Sequence, residues 1–224
     1  MKKNTILLTF ALLFAIASFA QSFKPGEFRK VSLGFDFFND IWLKVPEGLD
    51  TKAFNRGVNV NLLINNHIGD SRFDFSFGGA VGVHNLYTDS WITSPGDSSF
   101  FVKIPDSLNS TKYKITLAYF DFPLEIRYRA KGNFRAYAGI KFGFLIDHHS
   151  KYKGLDPNPD GPDYNVTIKR DDVRFVNFWR YQAYAKIGYK QFNLYGAISL
   201  DQIFKTSQGP EMYPVSVGIS IMPF

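Results

Sequence analysis

Apolar side chains recur at every second position in eight separate segments, and a period of two confines the chain to strands rather than helices. In 30–37, Val31, Leu33, Phe35 and Phe37 alternate with Ser32, Gly34 and Asp36. In 57–65, Val58, Val60, Leu62 and Ile64 alternate with Asn59, Asn61, Leu63 and Asn65. In 72–83, Phe73, Phe75, Phe77, Val81 and Val83 oppose Asp74, Ser76, Gly78, Ala80 and Gly82. The same pattern runs through 134–147, 179–188, 192–201 and 215–221, with Arg135, Lys141, Arg180 and Lys186 among the opposing residues.

The remaining segment, 111–129, changes phase. Ile115, Leu117 and Tyr119 are apolar at odd positions, then Phe120, Phe122, Leu124, Ile126 and Tyr128 at even ones. A slip of one residue near Tyr119-Phe120 predicts a β-bulge there. Pro123 then falls on the polar face, where it costs a ladder hydrogen bond unless the irregularity absorbs it.

The connections alternate as regularly as the residues. Those at 67–71, 131–133 and 190–191 are short, and those at 44–55, 88–110, 151–171 and 205–211 are long. Eight strands joined short and long in turn predict an all-β fold, an eight-stranded antiparallel up-and-down transmembrane β-barrel with one ragged rim.

Ahead of these strands, Lys2 and Lys3 precede the apolar run 6–17, and Ser18-Phe19-Ala20 offers a small-x-small cleavage pattern before Gln21. The layout is that of a secretory signal peptide over 1–20, leaving 21–224 as a single barrel domain. The apolar run is too short for a spanning helix. Export removes two lysines, so a formal charge of +6 becomes +4, from 24 basic and 20 acidic residues.

Width decides which face looks outward. The interior of an eight-stranded barrel is only just wide enough to be filled by side chains. The row Phe73, Phe75 and Phe77 is too bulky for it, whereas the Gly, Ala and Ser of the opposite face fit. The bulky face is therefore expected to meet lipid. With 24 Phe and 12 Tyr, the chain has rings to spare for both membrane interfaces. Phe73, Tyr128, Phe134, Tyr189 and Phe192 border the short turns. Phe37, Tyr87, Tyr113, Phe175, Trp179 and Phe204 are expected at the other end, as two girdles.

The inward phase collects Asp36, Arg72, Asp74, Asp121, Glu125, Arg127, Arg129, Arg135, Lys141, Arg180, Lys186 and Asp201. Unpaired buried charge costs several kcal/mol, so opposite signs should pair into a plug rather than line an open pore.

The signal ending Ser18-Phe19-Ala20-Gln21, the run Tyr119-Phe120-Asp121-Phe122-Pro123-Leu124-Glu125-Ile126-Arg127-Tyr128 and the run Phe134-Arg135-Ala136-Tyr137-Ala138-Gly139-Ile140 resemble the PorT-type outer-membrane β-barrel proteins of Gram-negative bacteria. The resemblance covers the mature chain and implies an outer-membrane barrel, in some members linked with type IX protein secretion. A terminal Phe224 resembles the assembly signal of such barrels, although Pro223 precedes it and its parity is that of Ser220.

Candidate chemistry is sparse. With no cysteine, the chain has no disulfide, thiolate metal site, cysteine nucleophile or lipidated N-terminal cysteine. Asp156-Pro157-Asn158-Pro159-Asp160-Gly161 fits the opening of a calcium loop, but the twelfth position is Thr167 instead of Glu. The bland reading is a polar tip stiffened by Pro and Gly. Asp147-His148-His149, an inward His84, and Ser90, Ser94, Ser98 and Ser99 lie toward the long loops. Nothing in the spacing places a nucleophile, base and orienter within mutual reach.

Lys and Arg alternate singly along strands, which is no nucleic-acid footprint. Lys103, Lys112, Lys114, Lys151, Lys153, Lys169 and Arg170 gather near the long-loop rim, where they could neutralise lipopolysaccharide phosphates. The expectation is a non-enzymatic structural or interaction component of the outer membrane, with no catalytic, cofactor or metal site. Its partners would be outer-membrane lipid and lipopolysaccharide, together with a protein of an envelope or secretion complex. A lipid A-modifying enzyme and a small-solute pore are the alternatives.

Overall fold

The computed structural model describes residues 30–158, 161 and 164–222. The signal segment 1–20, the terminal Phe224 and part of the 156–161 loop lie outside them. Among the described residues eleven strands form: β1 (Val31–Leu43), β2 (Arg56–His67), β3 (Phe73–Thr88), β4 (Ser90–Thr93), β5 (Phe100–Lys103), β6 (Lys112–Arg129), β7 (Phe134–Leu155), β8 (Asn165–Arg170), β9 (Trp179–Tyr189), β10 (Phe192–Ser199) and β11 (Tyr213–Ile221). The order β6-β3-β2-β1-β11-β10-β9-β7 closes on itself through the β6–β7 pairing. Every pairing is antiparallel, giving the expected eight-stranded closed barrel with no α-helix among the described residues. The β4–β5 hairpin stands apart from it, and β8 pairs only with β7.

The β6–β7 turn has the conformation its sequence calls for. At the β6–β7 turn Gly132 takes a φ of 79°, a left-handed conformation that suits glycine. An added Cβ there would touch nothing within 4 Å, so the penalty for Gly132→Ala comes from the backbone alone. About 1–2 kcal/mol of stability should be lost, read as a lower urea midpoint in lipid vesicles.

The lipid-facing surface is as anticipated over most of the wall. Leu62, Phe77, Leu124, Ile140, Ile187 and Leu194 stand exposed on neighbouring strands, in a continuous apolar band no water-soluble surface of this size tolerates. Glycines on the inner face make the narrow interior possible. A Cβ at Gly57 would collide with the Phe38 ring, and one at Gly143 with the Asp121 carboxylate and the Phe120 carbonyl.

Strand β6 departs from expectation, and the reason is physical. Its odd positions face inward along the whole strand, from Tyr113 through Tyr119 and Asp121 to Arg127. There is no slip within it. The extra residue is on β7 at Ile146, because Ala118 opposes Asp147 while Tyr119 opposes Leu145. What inverts along β6 is the environment. Inside the bilayer the outer face meets acyl chains and the inner face is polar. Above it the outer face meets water, and the inner face packs into a dry cap. Pro123 falls on the inner face as expected. The β3–β6 ladder keeps one register around it but skips Gly78 and Gly79, so the missing donor lies at that gap.

That cap is a hydrophobic core of its own. Trp42, Leu86, Ile92, Tyr113, Leu117, Tyr119, Val173, Phe204 and Met212 are buried together at the long-loop end. Tyr113 and Phe204 therefore belong to this core rather than to the outer girdle, and Phe175 is half-buried at a bend with φ of 59°. Trp179 and Phe37 face outward as expected, and the outer girdle adds Phe142 stacked on Trp179 at 5.0 Å and Phe144 on Phe178 at 5.8 Å. The girdle by the short turns is as expected, with Phe73 against Tyr128 at 5.1 Å and Phe134, Tyr189 and Phe192 in register. The connection expected over 151–171 is partly strand, since β7 runs on to Leu155 and β8 returns beside it.

Candidate functional site

Below the cap the barrel interior is filled by charge. In its middle, Asp36, Asp40, Asp121 and Glu125 are buried with Lys141, Lys186, Arg180 and Arg127, four carboxylates against four cations among the described residues, while Asp74 is buried separately toward the short turns. At the centre, Asp36 accepts from Lys186 at 2.8 Å and from Asn61 at 2.9 Å, while Lys141 stands 3.9 Å away, within ion-pair range. Both ammonium groups lie over the Tyr184 and Tyr195 rings, at 5.0 to 5.7 Å. Arg127 donates to Glu125 at 2.5 Å and covers the Tyr137 ring.

A second chain of contacts ties the network to the cap. Ser216 donates to Asp40 at 2.6 Å, and Asp40 meets His84 Nδ1 at 2.9 Å. His84 Nε2 faces Arg180 at 2.5 Å, and Arg180 also pairs with Asp121. The Arg180 guanidinium lies 4.1 Å from the centre of the Tyr119 ring, at the floor of the cap. An arginine can only donate, so His84 accepts at Nε2 and donates from Nδ1 to Asp40. That fixes a neutral tautomer held from both sides.

The sequence anticipated most of these inward charges but not Asp40, which lies beyond the 30–37 segment. Its signal was there, since Phe38, Asp40 and Trp42 continue the even-numbered inward positions. Three expected members sit elsewhere. Arg72 is exposed in the β2–β3 turn, Asp201 is half-buried just past β10, and Arg135 lines an open cleft at the short-turn mouth. Near that mouth Arg129 donates to Asp74 at 2.7 Å, and His67 meets the same carboxylate at 2.7 Å.

The residues considered for catalysis are not brought into a triad. Both ring nitrogens of His84 are engaged, and the serine nearest it in this chain of contacts, Ser216, donates to the carboxylate rather than to the imidazole. Ser94 pairs with Ser99 at 2.7 Å, and Ser90 donates to Asp89 at 2.9 Å. His149 meets Asp147 at 2.9 Å, and His148 has a buried Nδ1 without a hydrogen bond. In the considered calcium loop, Asp156 accepts the Asn158 backbone N–H at 2.9 Å, while Thr167 lies on β8 opposite Lys153.

At the outer end, a cavity of 340 Å³ opens between the β4–β5 hairpin and the β7–β8 extension, lined by Trp91, Tyr113, Tyr152, Arg170 and Asp172 among others. Trp91 meets Tyr152 edge-on at 5.9 Å, and Ser150 donates to Asp172 at 2.6 Å. On the rim, Lys44 and Glu211 are joined at 2.5 Å. Their hydrogen bond holds the Lys44 ammonium above the usual lysine range and the Glu211 carboxyl below the usual carboxylate range.

A closed barrel with a greasy wall, ringed girdles, short turns at one end and long loops at the other defines an outer-membrane β-barrel protein. A family model described as outer membrane protein beta-barrel domain matches residues 19–205. The chain belongs to that family, and its place is the outer membrane. Among curated proteins none matches it. Solved structures that resemble it include variants of the Rhodopseudomonas blastica porin. One aligns at 10% identity over 86% of this chain and 99% of its own, with a TM-score of 0.23. A triple mutant of the same porin aligns at 11% identity with the same coverage and TM-score. Likeness that slight transfers no pore function.

Proposed function

We propose that this protein is a closed, non-catalytic outer-membrane barrel that acts as a structural or interaction component and presents its capped outer end to a protein partner. The observation that carries the reading is the double filling of the lumen. The four-on-four charge network occupies the lower part and the apolar cap the upper, leaving buried side chains where a solute would pass. Phe100 and Val102, exposed on β5, offer the cap an apolar contact surface. The resemblance of the Tyr119–Tyr128 and Phe134–Ile140 runs to PorT-type barrels supports a more specific role, as an accessory of type IX-like protein secretion.

Planar bilayer recording on the purified, folded protein tests the closed lumen. No unitary conductance is expected. A stable single-channel step would overturn the reading in favour of a small-solute pore.

A further inference from the structure

Where β2, β3 and β6 rise out of the apolar band, their outer face turns from greasy through one mixed row to cationic; on β7 the exposed Asp147, opposite Ala118 and joined to His149 at 2.9 Å, precedes Lys151, and β8 joins only at the cationic row. The last apolar row runs Phe37, Val58, Val83 and Ala118 across four paired strands. One step higher, Asn39 opposes Arg56, and Asn85 opposes Thr116. A step above that, Tyr87, Lys114, Lys151 and Lys169 stand directly opposite one another on four strands. Another step up, Lys112 opposes Lys153. Each step is two residues, about 5 Å of height for a tilted strand. The cations thus begin where acyl chains give way to headgroups.

Three features make this sector a site rather than a scatter of surface charge. Like charges directly opposite on neighbouring strands repel, and here they stand three abreast in one row and two in the next. None of the five lysines forms an ion pair among the described residues, whereas on the same rim Lys44 pairs with Glu211 and Lys103 with Asp89. Beside the rows, a cleft of 550 Å³ is lined by Lys52, Phe54, Arg56, Tyr87 and Lys112, with no carboxylate among the described residues of its lining. Within it Lys112 lies 5.2 Å from the Tyr87 ring centre and Phe54 is 73% exposed; Lys114, 5.9 Å from the same ring, stands beside the cleft and donates to the Asn85 side chain at 2.6 Å. An array of cations that the chain leaves unneutralised, above an apolar wall and beside an exposed ring, matches a ligand with anionic groups above acyl chains.

We propose that this sector binds the phosphate groups of outer-leaflet lipopolysaccharide, with Arg56, Lys112, Lys114 and Lys151 as the principal contacts. Lys103 is paired to Asp89, and Arg170 lines the outer cavity, so neither belongs to the site.

The test uses the folded full-length protein in detergent, with bisphosphorylated lipid A as the probe. Retained lipid A is measured by phosphate assay after gel filtration. The variant R56Q/K114Q/K151Q should retain at least five-fold less than wild type, and K114R/K151R should retain it normally. K44Q, which removes a paired lysine, should change nothing. Without lipid A the triple variant should be at least as heat-resistant as wild type, because repulsion has been relieved; this separates lost binding from lost folding. Equal retention by the triple variant, equal retention of dephosphorylated lipid A, or complete competition by equimolar inorganic phosphate would each overturn the proposal.

Discussion

Replacing Asp36 by Asn should cost the barrel about 3–5 kcal/mol, the penalty for stranding a buried ionic partner. The side chain keeps its size and can still accept a hydrogen bond from Asn61. What disappears is the charge that Lys186 approaches to 2.8 Å and Lys141 to 3.9 Å. Both ammonium groups are buried, and what remains against them is the faces of Tyr184 and Tyr195, with the Asp121 carboxylate acting on Lys141 from farther off. Ring faces attract cations by about 2 kcal/mol when desolvated, too little to stand in for a carboxylate. The loss is expected as a lower urea midpoint for unfolding from lipid vesicles, with weaker gel-shift resistance to heat. Adding Lys186→Met restores a balance of three against three, and replacing buried ion pairs with apolar groups is often neutral or stabilising. The double variant should therefore regain more than half of the loss. If the Asp36→Asn protein unfolds at the wild-type urea concentration, the interior charges are solvated and the lumen is not the closed network described above.

That network was legible in outline from the alternation alone. Once the barrel is narrow, Asp36, Asp121, Glu125, Lys141, Arg180 and Lys186 can point nowhere but inward, and each does. Which charge meets which was not legible. Asp40 and His84 meet across 44 residues and His84 and Arg180 across 96, and barrel closure rather than local spacing decides these contacts. The harder misreading concerns β6. A period of two reports which residues share a face, but it names the buried face only if the surroundings stay constant. Between Phe120 and Ala118 they do not. The apolar positions of β6 change parity there while its geometry continues unbroken, and the same change appears as the rising cationic rows outside. Tyr113 and Phe204 misled for the same reason: an aromatic near a long loop belongs to a girdle if it faces lipid and to the cap if it faces inward.

The lipid-facing assignment itself predicts a depth profile. Leu124 sits midway along the outward apolar run of β6, four residues from Tyr128 by the short turns and four from Phe120. It opposes Phe77 on one side and Ile140 on the other. An arginine there has no carboxylate neighbour on the outer face and must snorkel along a wall of rings and aliphatics, so Leu124→Arg should destabilise the barrel in vesicles by ~2–4 kcal/mol. Val58 lies on the last apolar row, one step below Arg56, and its arginine can reach the headgroups; Val58→Arg should cost only about 0–1 kcal/mol. Both substitutions leave the interior pairs untouched, so the difference between them isolates the solvent outside the wall. If that solvent were water, the two arginines would be equally harmless and Leu124→Arg would increase solubility without detergent. The gradient, measured as paired urea midpoints in the same vesicles, therefore separates a membrane wall from a soluble barrel without reference to the lumen, the cap or any partner.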